Sequence, residues 1–255
     1  MTLIELKDFL DEKADLYNNL SFIENDPVQI PHRYEIQQDV EIAGFLAATI
    51  AWGNRKSIIK SADKMMDYMG NSPYDFVLNC TDKDFEKLGA KAVHRTFSAE
   101  DFQCFMMALQ NIYRENNSLE SLFLLNNGET NLYHALERFR TRFFKNAPDH
   151  RSRKHVSSSY KNSACKRLIM YLRWMVRQDK KGVDFGIWKN IDPAYLSVPL
   201  DVHTANVSRK LDLVKRKQND WKTVEEMDIQ LRLMDPKDPA RYDFALFGLG
   251  VSKDF

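Results

Sequence analysis

Hydrophobic residues recur at helical spacing along nearly the whole chain, and no stretch alternates with a sustained period of two. An apolar run over residues 42–52 lies inside a predicted central helix, 39–52. Further helices are predicted from a stripe at positions 3, 6, 10, 14 and 17, over residues 56–69, 74–78, 82–88, 98–113, 119–125, 132–144, 166–178, 224–234 and 242–249, and from Asp201 onward. Nine glycines and eight prolines, mostly between these segments, complete a pattern typical of an all-α fold.

A lysine and an aspartate stand at the starts of two of these helices. Residues 146–163 are polar and basic, so they are predicted to form an exposed loop, and the helix of Lys166 follows this loop. Pro193 and Pro199 interrupt the chain before the helix of Asp201. Two chemically capable side chains are therefore expected at helix N-termini.

Composition is that of an ordinary globular protein, with 255 residues, 44% of them hydrophobic and 29% charged. This length allows one large domain or two helical lobes. The apolar run 42–52 is too short to cross a bilayer. Because the N-terminus is acidic and amphipathic, unlike a signal peptide, we expect a cytoplasmic location and no membrane partner.

Cysteine usage argues against bound metal. Cys80, Cys104 and Cys165 are widely separated and form no C-x-x-C pair. The sequence therefore supports neither a zinc site nor an iron–sulfur cluster, and we expect no metal and no cofactor. The oligomeric state is not indicated by the sequence.

Charge is unevenly distributed, although the net charge is only +1. Residues 1–50 carry ten acidic and three basic side chains, whereas residues 151–181 carry ten Lys or Arg and one acid. Clustered positive charge is typical of a surface that binds phosphates. The alternative is a solvated helix face that the acidic N-terminal segment balances.

The lysine and the aspartate suit chemistry on a sugar. A lysine amine attacks C1′ of a sugar only in its unprotonated form. A helix N-terminus, burial and the neighbouring Arg167 would each disfavour the ammonium at Lys166. Asp201, held as a helix cap, would be a rigid carboxylate that stabilises a cationic sugar or accepts a proton. Each residue also has a simpler interpretation, as a solvated or phosphate-contacting lysine and as a plain cap.

Two segments resemble the helix-hairpin-helix superfamily of DNA glycosylases. YKNSACKRLIMYLR, from Tyr160, resembles the superfamily's hairpin and second helix, and PLDVHTANVSRKLDLV, from Pro199, resembles its P-[VL]-D-x-H-x-x-R motif. The pattern K-x-x-x-x-x-L-R over residues 166–173 is most similar to the archaeal 8-oxoguanine glycosylases. With AWGNR and DFALFGLG, these segments resemble a little-characterised bacterial family within the superfamily. The first 38 residues contribute hardly anything to this resemblance.

The resemblance implies a two-lobed helical fold, with residues 39–191 in the lobe that carries the helix-hairpin-helix and residues 1–38 joined with 192–255 in the other. It also implies a base-excision enzyme on damaged duplex DNA, associated with the nucleoid, that takes the damaged nucleotide out of the stack. Lys166 holds the position of the catalytic lysine, which attacks C1′ and forms a Schiff base. Asp201 holds that of the catalytic aspartate, and oxidised purines are the expected substrates.

Contacts to nucleic acid are expected from the turn after the central helix and from both motif segments. Asn54 or Arg55 would fill the gap that a flipped nucleotide leaves. Backbone amides of the hairpin and helix N-termini would hold phosphates, and His203 would orient the start of its helix. The complete set of expected nucleic-acid contacts is Asn54, Arg55, Asn162, Ser163, Arg167, Arg173, His203 and Arg209.

The sequence departs from the superfamily at the hairpin, usually L-P-G-V-G-x-K, where Asn162 and Ala164 replace both glycines. Asn tolerates a left-handed backbone conformation, but Ala adopts it less readily. The 35-residue separation of Lys166 and Asp201 also requires an inserted segment near residues 184–190. Two further hypotheses therefore stay open: a non-catalytic nucleic-acid-binding protein that retains the glycosylase fold, and a helical protein whose basic patch meets an acidic partner.

Overall fold

The computed structural model describes residues 1–89 and 92–252, which are mostly helical, so the predicted all-α class is confirmed at that level. The helices are α1 (Leu3–Tyr17), α2 (Ser21–Glu24), α3 (Gln37–Thr49), α4 (Arg55–Tyr68), α5 (Pro73–Asn79), α6 (Asp82–Glu86), α7 (Ala99–Tyr113), α8 (Tyr133–Phe143), α9 (Lys166–Val176), α10 (Val202–Lys210), α11 (Trp221–Met234) and α12 (Tyr242–Ser252). Short 3-10 turns join them at Pro27–Gln29, Pro31–Arg33, Leu119–Leu122, Arg151–His155, Ser159–Lys161, Pro193–Tyr195 and Pro239–Arg241.

Helix α3 is the centre of the fold. Its residues 39–49 are all buried, so it needs cover on every side. Helices α9, α5 and α4 pack against it. The ring of Phe45 lies 5.7 Å from that of Phe105 and 5.6 Å from that of Tyr171, between centroids. The predicted buried central helix is confirmed. Within the described residues, no helix is both long and apolar enough to cross a membrane.

The carboxylate of Glu41 lies fully buried in this core. It accepts hydrogen bonds from side chains and from one backbone N–H, and these donors come from α3, from α7, from the turn that follows α7 and from the segment after α9. The donors are Gln37 Nε2 at 2.9 Å, Tyr113 OH at 2.7 Å, Ser118 Oγ at 2.5 Å, Leu119 N at 2.9 Å and Trp188 Nε1 at 2.8 Å. One carboxylate of the central helix therefore binds three other parts of the chain to it.

We expect Glu41→Gln to lower the free energy of unfolding by about 3 kcal/mol, because the new amide group faces donors and leaves buried N–H and O–H groups unpaired. Urea denaturation measures the change. Glu35→Gln is the matched control, since Glu35 is exposed and should change stability by less than about 0.5 kcal/mol. Equal stability of the two variants would contradict the role given to Glu41.

The two ends of the described chain meet beside the helix of Asp201. Helix α1 packs against α12, and α12 packs against α10. Gly250 allows α12 to approach α10 closely, because a Cβ on Gly250 would lie 2.7 Å from the Cβ of His203. The division into lobes stays a prediction, and residues 90–91 and 253–255 of its ranges lie outside the described residues.

The structure contains a short β-hairpin that the sequence pattern does not predict. Strand β1 (Ala92–His94) pairs with β2 (Phe97–Ser98) in an antiparallel sheet. Strands of three and two residues are too short to show an alternating pattern, so the sequence gives no sign of them.

The prediction of an exposed loop over residues 146–163 is wrong in part. Ser152 and His155 are buried there. Ser152 Oγ donates to Asp101 Oδ1 at 2.8 Å, and the His155 Nε2 atom lies 3.2 Å from Asp101 Oδ2. Ser152 and His155 can be buried because both form hydrogen bonds with the buried carboxylate of Asp101 on α7.

The segment between α9 and α10 folds back along α9. The amides of Phe185 and Trp188 donate to the carbonyl oxygens of Trp174 and Met175, at 2.8 and 3.0 Å. This arrangement accommodates the insertion that the separation of Lys166 and Asp201 requires.

Helix α11 then holds the chain that leads to Asp201. Ser197 Oγ donates to Asp228 Oδ2 at 2.6 Å, and Arg232 Nε donates to the carbonyl oxygen of Ala194 at 3.1 Å. The position of Asp201 therefore depends on two side chains of α11.

Burial raises the pKa of Asp228 to about 7. From about pH 4 to 7 the folded protein keeps a proton that the unfolded chain has released, so this group's contribution to stability is lost as pH rises through 7. We expect the free energy of unfolding to fall between about pH 4 and 7, and to fall less in Asp228→Asn. Urea titrations at four pH values measure this, with Asp8→Asn, an exposed aspartate, as the control. An equal fall in the parent and in Asp228→Asn would contradict the prediction.

Candidate active site

The turn before α9 contains two residues in the left-handed conformation. Asn162 has a φ of 58° at the end of a 3-10 turn, and Cys165 has a φ of 47° as the N-cap of α9. The sequence comparison with the superfamily hairpin placed the second such position at Ala164, which has no positive φ. Ala164 is therefore unstrained, and the turn forms without glycine because the left-handed position lies one residue later.

Lys166 and Asp201 face each other from the N-termini of α9 and α10. The lysine Nζ lies 4.0 Å from Asp201 Oδ2. Asp201 Oδ1 accepts the backbone N–H of Thr204 at 2.8 Å, so the predicted cap is confirmed and the other oxygen faces the lysine. The lysine side chain is 36% exposed and the aspartate side chain 13%, so the amine is accessible while the carboxylate is held.

A cleft of about 190 Å³ opens beside this pair. Its apolar lining includes Phe22, Met170 and Phe247. The guanidinium carbon of Arg55, another residue of the cleft, lies 4.9 Å from the centroid of the Phe247 ring. The volume suits one small ring system more than a larger ligand.

Two buried carboxyl groups share the cleft with Asp201. Burial raises the pKa of Asp26. Burial also raises the pKa of Asp243 to about 7, although the neighbouring Arg173 opposes the shift, and the charge of Asp201 adds to it. The cleft therefore holds an acid that titrates near neutral pH beside the Lys166–Asp201 pair.

Arg173 was expected to contact nucleic acid, and the structure corrects this expectation. Its side chain is 4% exposed. The guanidinium bonds to Asp243, and its Nε lies 3.2 Å from Asp184 Oδ1. These carboxylates raise the pKa of Arg173 against the effect of burial. Arg173 therefore forms part of the cleft wall, where it fixes Asp243, and offers no surface to a phosphate backbone.

Arg167 is also directed inward. Its guanidinium donates to the carbonyl oxygen of Thr49 and lies 4.8 Å from the centroid of the Trp52 ring. Burial lowers its pKa to about 10. This side chain joins α9 to the end of α3 and is corrected from a nucleic-acid contact to a structural one.

The amides expected to hold phosphate at the hairpin are already bonded. The N–H groups of Asn162 and Ser163 donate to Ser159 and Ser158, at 2.8 and 3.2 Å. The Asn162 side chain donates to Asp220 Oδ2 at 3.0 Å. The hairpin therefore packs against the start of α11. The backbone amides of Asn162 and Ser163 are not free to bind phosphate, as the resemblance implied that they would be.

The remaining four residues that were expected to contact nucleic acid differ in their surroundings. Asn54 caps α4 from an exposed position by accepting the N–H of Ser57 at 3.2 Å, and Arg55 lies beside it at the cleft. His203 is exposed and its Nδ1 lies 2.9 Å from the carbonyl oxygen of Gly250, which orients the start of α10. The guanidinium of Arg209 donates to the loop after α10 through the carbonyl oxygens of residues 216–218, and its contact with nucleic acid stays a prediction.

Sequence reasoning missed three residues of this site: Asp26, Asp243 and Arg95. Asp26 lies in a segment with no motif, and Asp243 lies in an apolar helix where an acid should have drawn attention. Arg95 reaches the rim from the β1–β2 turn with a φ of 51°, and its guanidinium occupies the space that a Cβ at Gly53 would need. Trp174 was recognised from the sequence as an aromatic residue that could stack on a flipped base, although aromatic residues at helical spacing are most often core; the structure buries its side chain fully.

Two of the three cysteines lie inside the core. Cys80 and Cys165 are buried, and burial raises their thiol pKa values to about 11 and 12. Among the residues that the structure describes, no three His, Cys, Asp or Glu side chains are grouped so that they could hold a metal ion.

The family model described as a protein of unknown function, DUF2400, matches residues 26–252. The chain belongs to this family. The matched segment contains Lys166 and Asp201 together with the two buried carboxyl groups of the cleft, Asp26 and Asp243. No curated protein and no solved structure matches the chain.

Proposed function

We propose that this protein is a DNA glycosylase with apurinic-site lyase activity. The observation that carries the proposal is the accessible amine of Lys166, 4.0 Å from a carboxylate oxygen of Asp201, at a cleft the size of one ring system. The resemblance of both motif segments to the helix-hairpin-helix glycosylases supports the same chemistry.

The two residues divide the work of the reaction. Asp201 Oδ2 accepts the proton that Lys166 Nζ releases, and the Nζ lone pair then forms a bond to C1′. The bond from C1′ to the base breaks, and the base leaves with its electron pair and takes up a proton from the Nζ now bonded to C1′. The C1′–O4′ bond then breaks, O4′ takes up the proton that Asp201 accepted, and a protonated imine forms between Nζ and C1′. Asp201 then accepts a C2′ proton, the C3′–O bond breaks, and the 3′ phosphate leaves by β-elimination.

Asp201 suits its part because its two oxygens are differently engaged. Oδ1 is fixed by the N–H of Thr204, so Oδ2 keeps its direction towards Lys166. A carboxylate held in this way also stabilises the positive charge that develops on the sugar without having to reorganise.

The cleft and its rim suit a nucleotide that has left the stack. Phe247 and Met170 offer apolar surface to a base, and Arg55 lies against Phe247. Asn54 and Arg55 would then face the gap in the duplex, with the exposed Arg95 nearby. Extrusion of the target nucleotide is required of any enzyme that acts on a base within a duplex.

One observation favours a second candidate function, a nucleic-acid-binding protein without catalysis. The hairpin amides of Asn162 and Ser163 are bonded internally, which weakens the phosphate contact that would place C1′ at Lys166. This candidate predicts salt-dependent DNA binding that survives loss of both Lys166 and Asp201.

The test is a panel of duplex oligonucleotides that carry an abasic site, 8-oxoguanine or uracil at one position, with undamaged duplex as the control. Glycosylase and lyase activity together predict strand scission at the abasic site and at one or more of the damaged bases. Binding to the panel without scission of any member would favour the second candidate.

A further inference from the structure

Two polar atoms in the cleft are buried without a hydrogen-bond partner. Trp174 Nε1 and Thr204 Oγ1 have no partner among the described residues, and both side chains belong to residues with 0% exposure. Both residues line the cleft beside Lys166 and Asp201. Buried polar groups are nearly always bonded, so an unpaired donor at the wall of a cleft indicates a ligand that pairs with it.

The unpaired indole is not a general feature of this chain. Trp188 Nε1 donates to Glu41 Oε1 at 2.8 Å, and Trp221 Nε1 donates to Glu225 Oε1 at 2.9 Å. Both of these tryptophans are as deeply buried as Trp174. Each of these two indoles therefore has a carboxylate partner, whereas the indole of Trp174, a residue that lines the cleft, has none.

Both residues lie further along the helices that start at the reactive pair. Trp174 follows Lys166 by eight residues on α9, which is roughly 12 Å along a helix, and Met170, another residue of the cleft, lies between them in sequence. Thr204 is in the first turn of α10, three residues after its N-cap Asp201. A group whose reacting carbon lies at Lys166 would extend past Met170 towards these two atoms.

We propose that Trp174 and Thr204 recognise the base of the flipped nucleotide. Trp174 Nε1–H donates to a ring nitrogen or carbonyl oxygen on the edge of the base, and the Thr204 hydroxyl bonds to a polar group next to it. The inference rests on the proposed function and adds two specificity-determining residues to it. A sugar without a base occupies only the outer part of the cleft and makes neither contact.

The experiment compares two substrates of one enzyme, because only one of them carries a base. Single-turnover rates are measured on the damaged-base duplex that the parent cleaves fastest in the panel, and on the same duplex with an abasic site. Trp174→Phe removes the N–H and keeps an aromatic ring, and Thr204→Val removes the hydroxyl at nearly constant volume. Each should slow release of the base by about tenfold and leave abasic-site scission within about twofold.

Trp221→Phe is the matched control, since the same substitution there removes an indole that Glu225 already bonds, away from the cleft. It should leave both rates within about twofold. Equal slowing of both substrates by Trp174→Phe and Thr204→Val would show a structural role only, and unchanged rates on both would also overturn the inference. A parent that cleaves neither substrate overturns the proposed function, and this inference with it.

Discussion

In the Lys166→Gln variant, we expect single-turnover scission of an abasic-site duplex to fall by at least about 1,000-fold, because the amide nitrogen cannot attack C1′. The fold should be kept. Lys166 is more than a third exposed and its ion pair with Asp201 spans 4.0 Å, an arrangement that contributes little to stability. DNA affinity, measured by fluorescence anisotropy, should change by less than about tenfold, since only one positive charge is lost.

Lys222→Gln is the control for this variant. Lys222 is an exposed lysine on α11 outside the cleft, so the same substitution should leave the scission rate unchanged. Scission by Lys166→Gln at the rate of the parent would show that another group supplies the nucleophile.

In the Asp201→Asn variant, we expect release of a damaged base to slow by about 100- to 10,000-fold, because the amide can neither accept the lysine proton nor balance a positive charge on the sugar. Asparagine is as good an N-cap as aspartate, so α10 should keep its start and the protein its stability. The loss then reports chemistry and not folding. Single-turnover rates on the best damaged-base substrate, with thermal unfolding alongside, separate the two.

Asp192→Asn tests whether capping alone matters. Asp192 caps a 3-10 turn nine residues before Asp201, with its Oδ1 accepting the N–H of Ala194 at 2.9 Å, and it does not line the cleft. Its replacement should leave the rate within about twofold of the parent. If Asp192→Asn and Asp201→Asn slow the reaction equally, Asp201 acts as a cap and not as a catalytic group.

The sequence predicts the helices well because each long helix carries its own local signals. The stripe of α1, the capping box at Ser98 and the apolar run of α3 each determine an element within about three residues of its observed bounds. The β1–β2 hairpin and the burial of residues 146–163 depend on partners far along the chain. Asp101 bonds the buried Ser152 and His155 from 51 and 54 residues away, and no local sequence pattern can indicate such contacts.

The site was predictable where a residue sits at a helix start. Lys166 and Asp201 were found by their positions and their motif contexts, and the structure brings them together. The arginines of α9 were wrongly predicted to contact nucleic acid, because a basic residue in an amphipathic helix is usually exposed to solvent. Arg173 is instead paired with the buried carboxylates of Asp184 and Asp243, which lie 11 and 70 residues further along the chain. Asp26, Asp243 and Thr204 join the site only through packing.

The central claim is that Lys166 forms a covalent bond to the sugar, and the most direct measurement is to locate that bond. The parent protein is incubated with an abasic-site duplex in borohydride, which reduces the imine to a stable amine, and the trapped complex is digested and mapped by mass spectrometry. The proposed mechanism predicts one modified peptide that contains Lys166, and no trapped complex with Lys166→Gln. An adduct on another lysine or on the N-terminal amine, or no adduct at all, would contradict it.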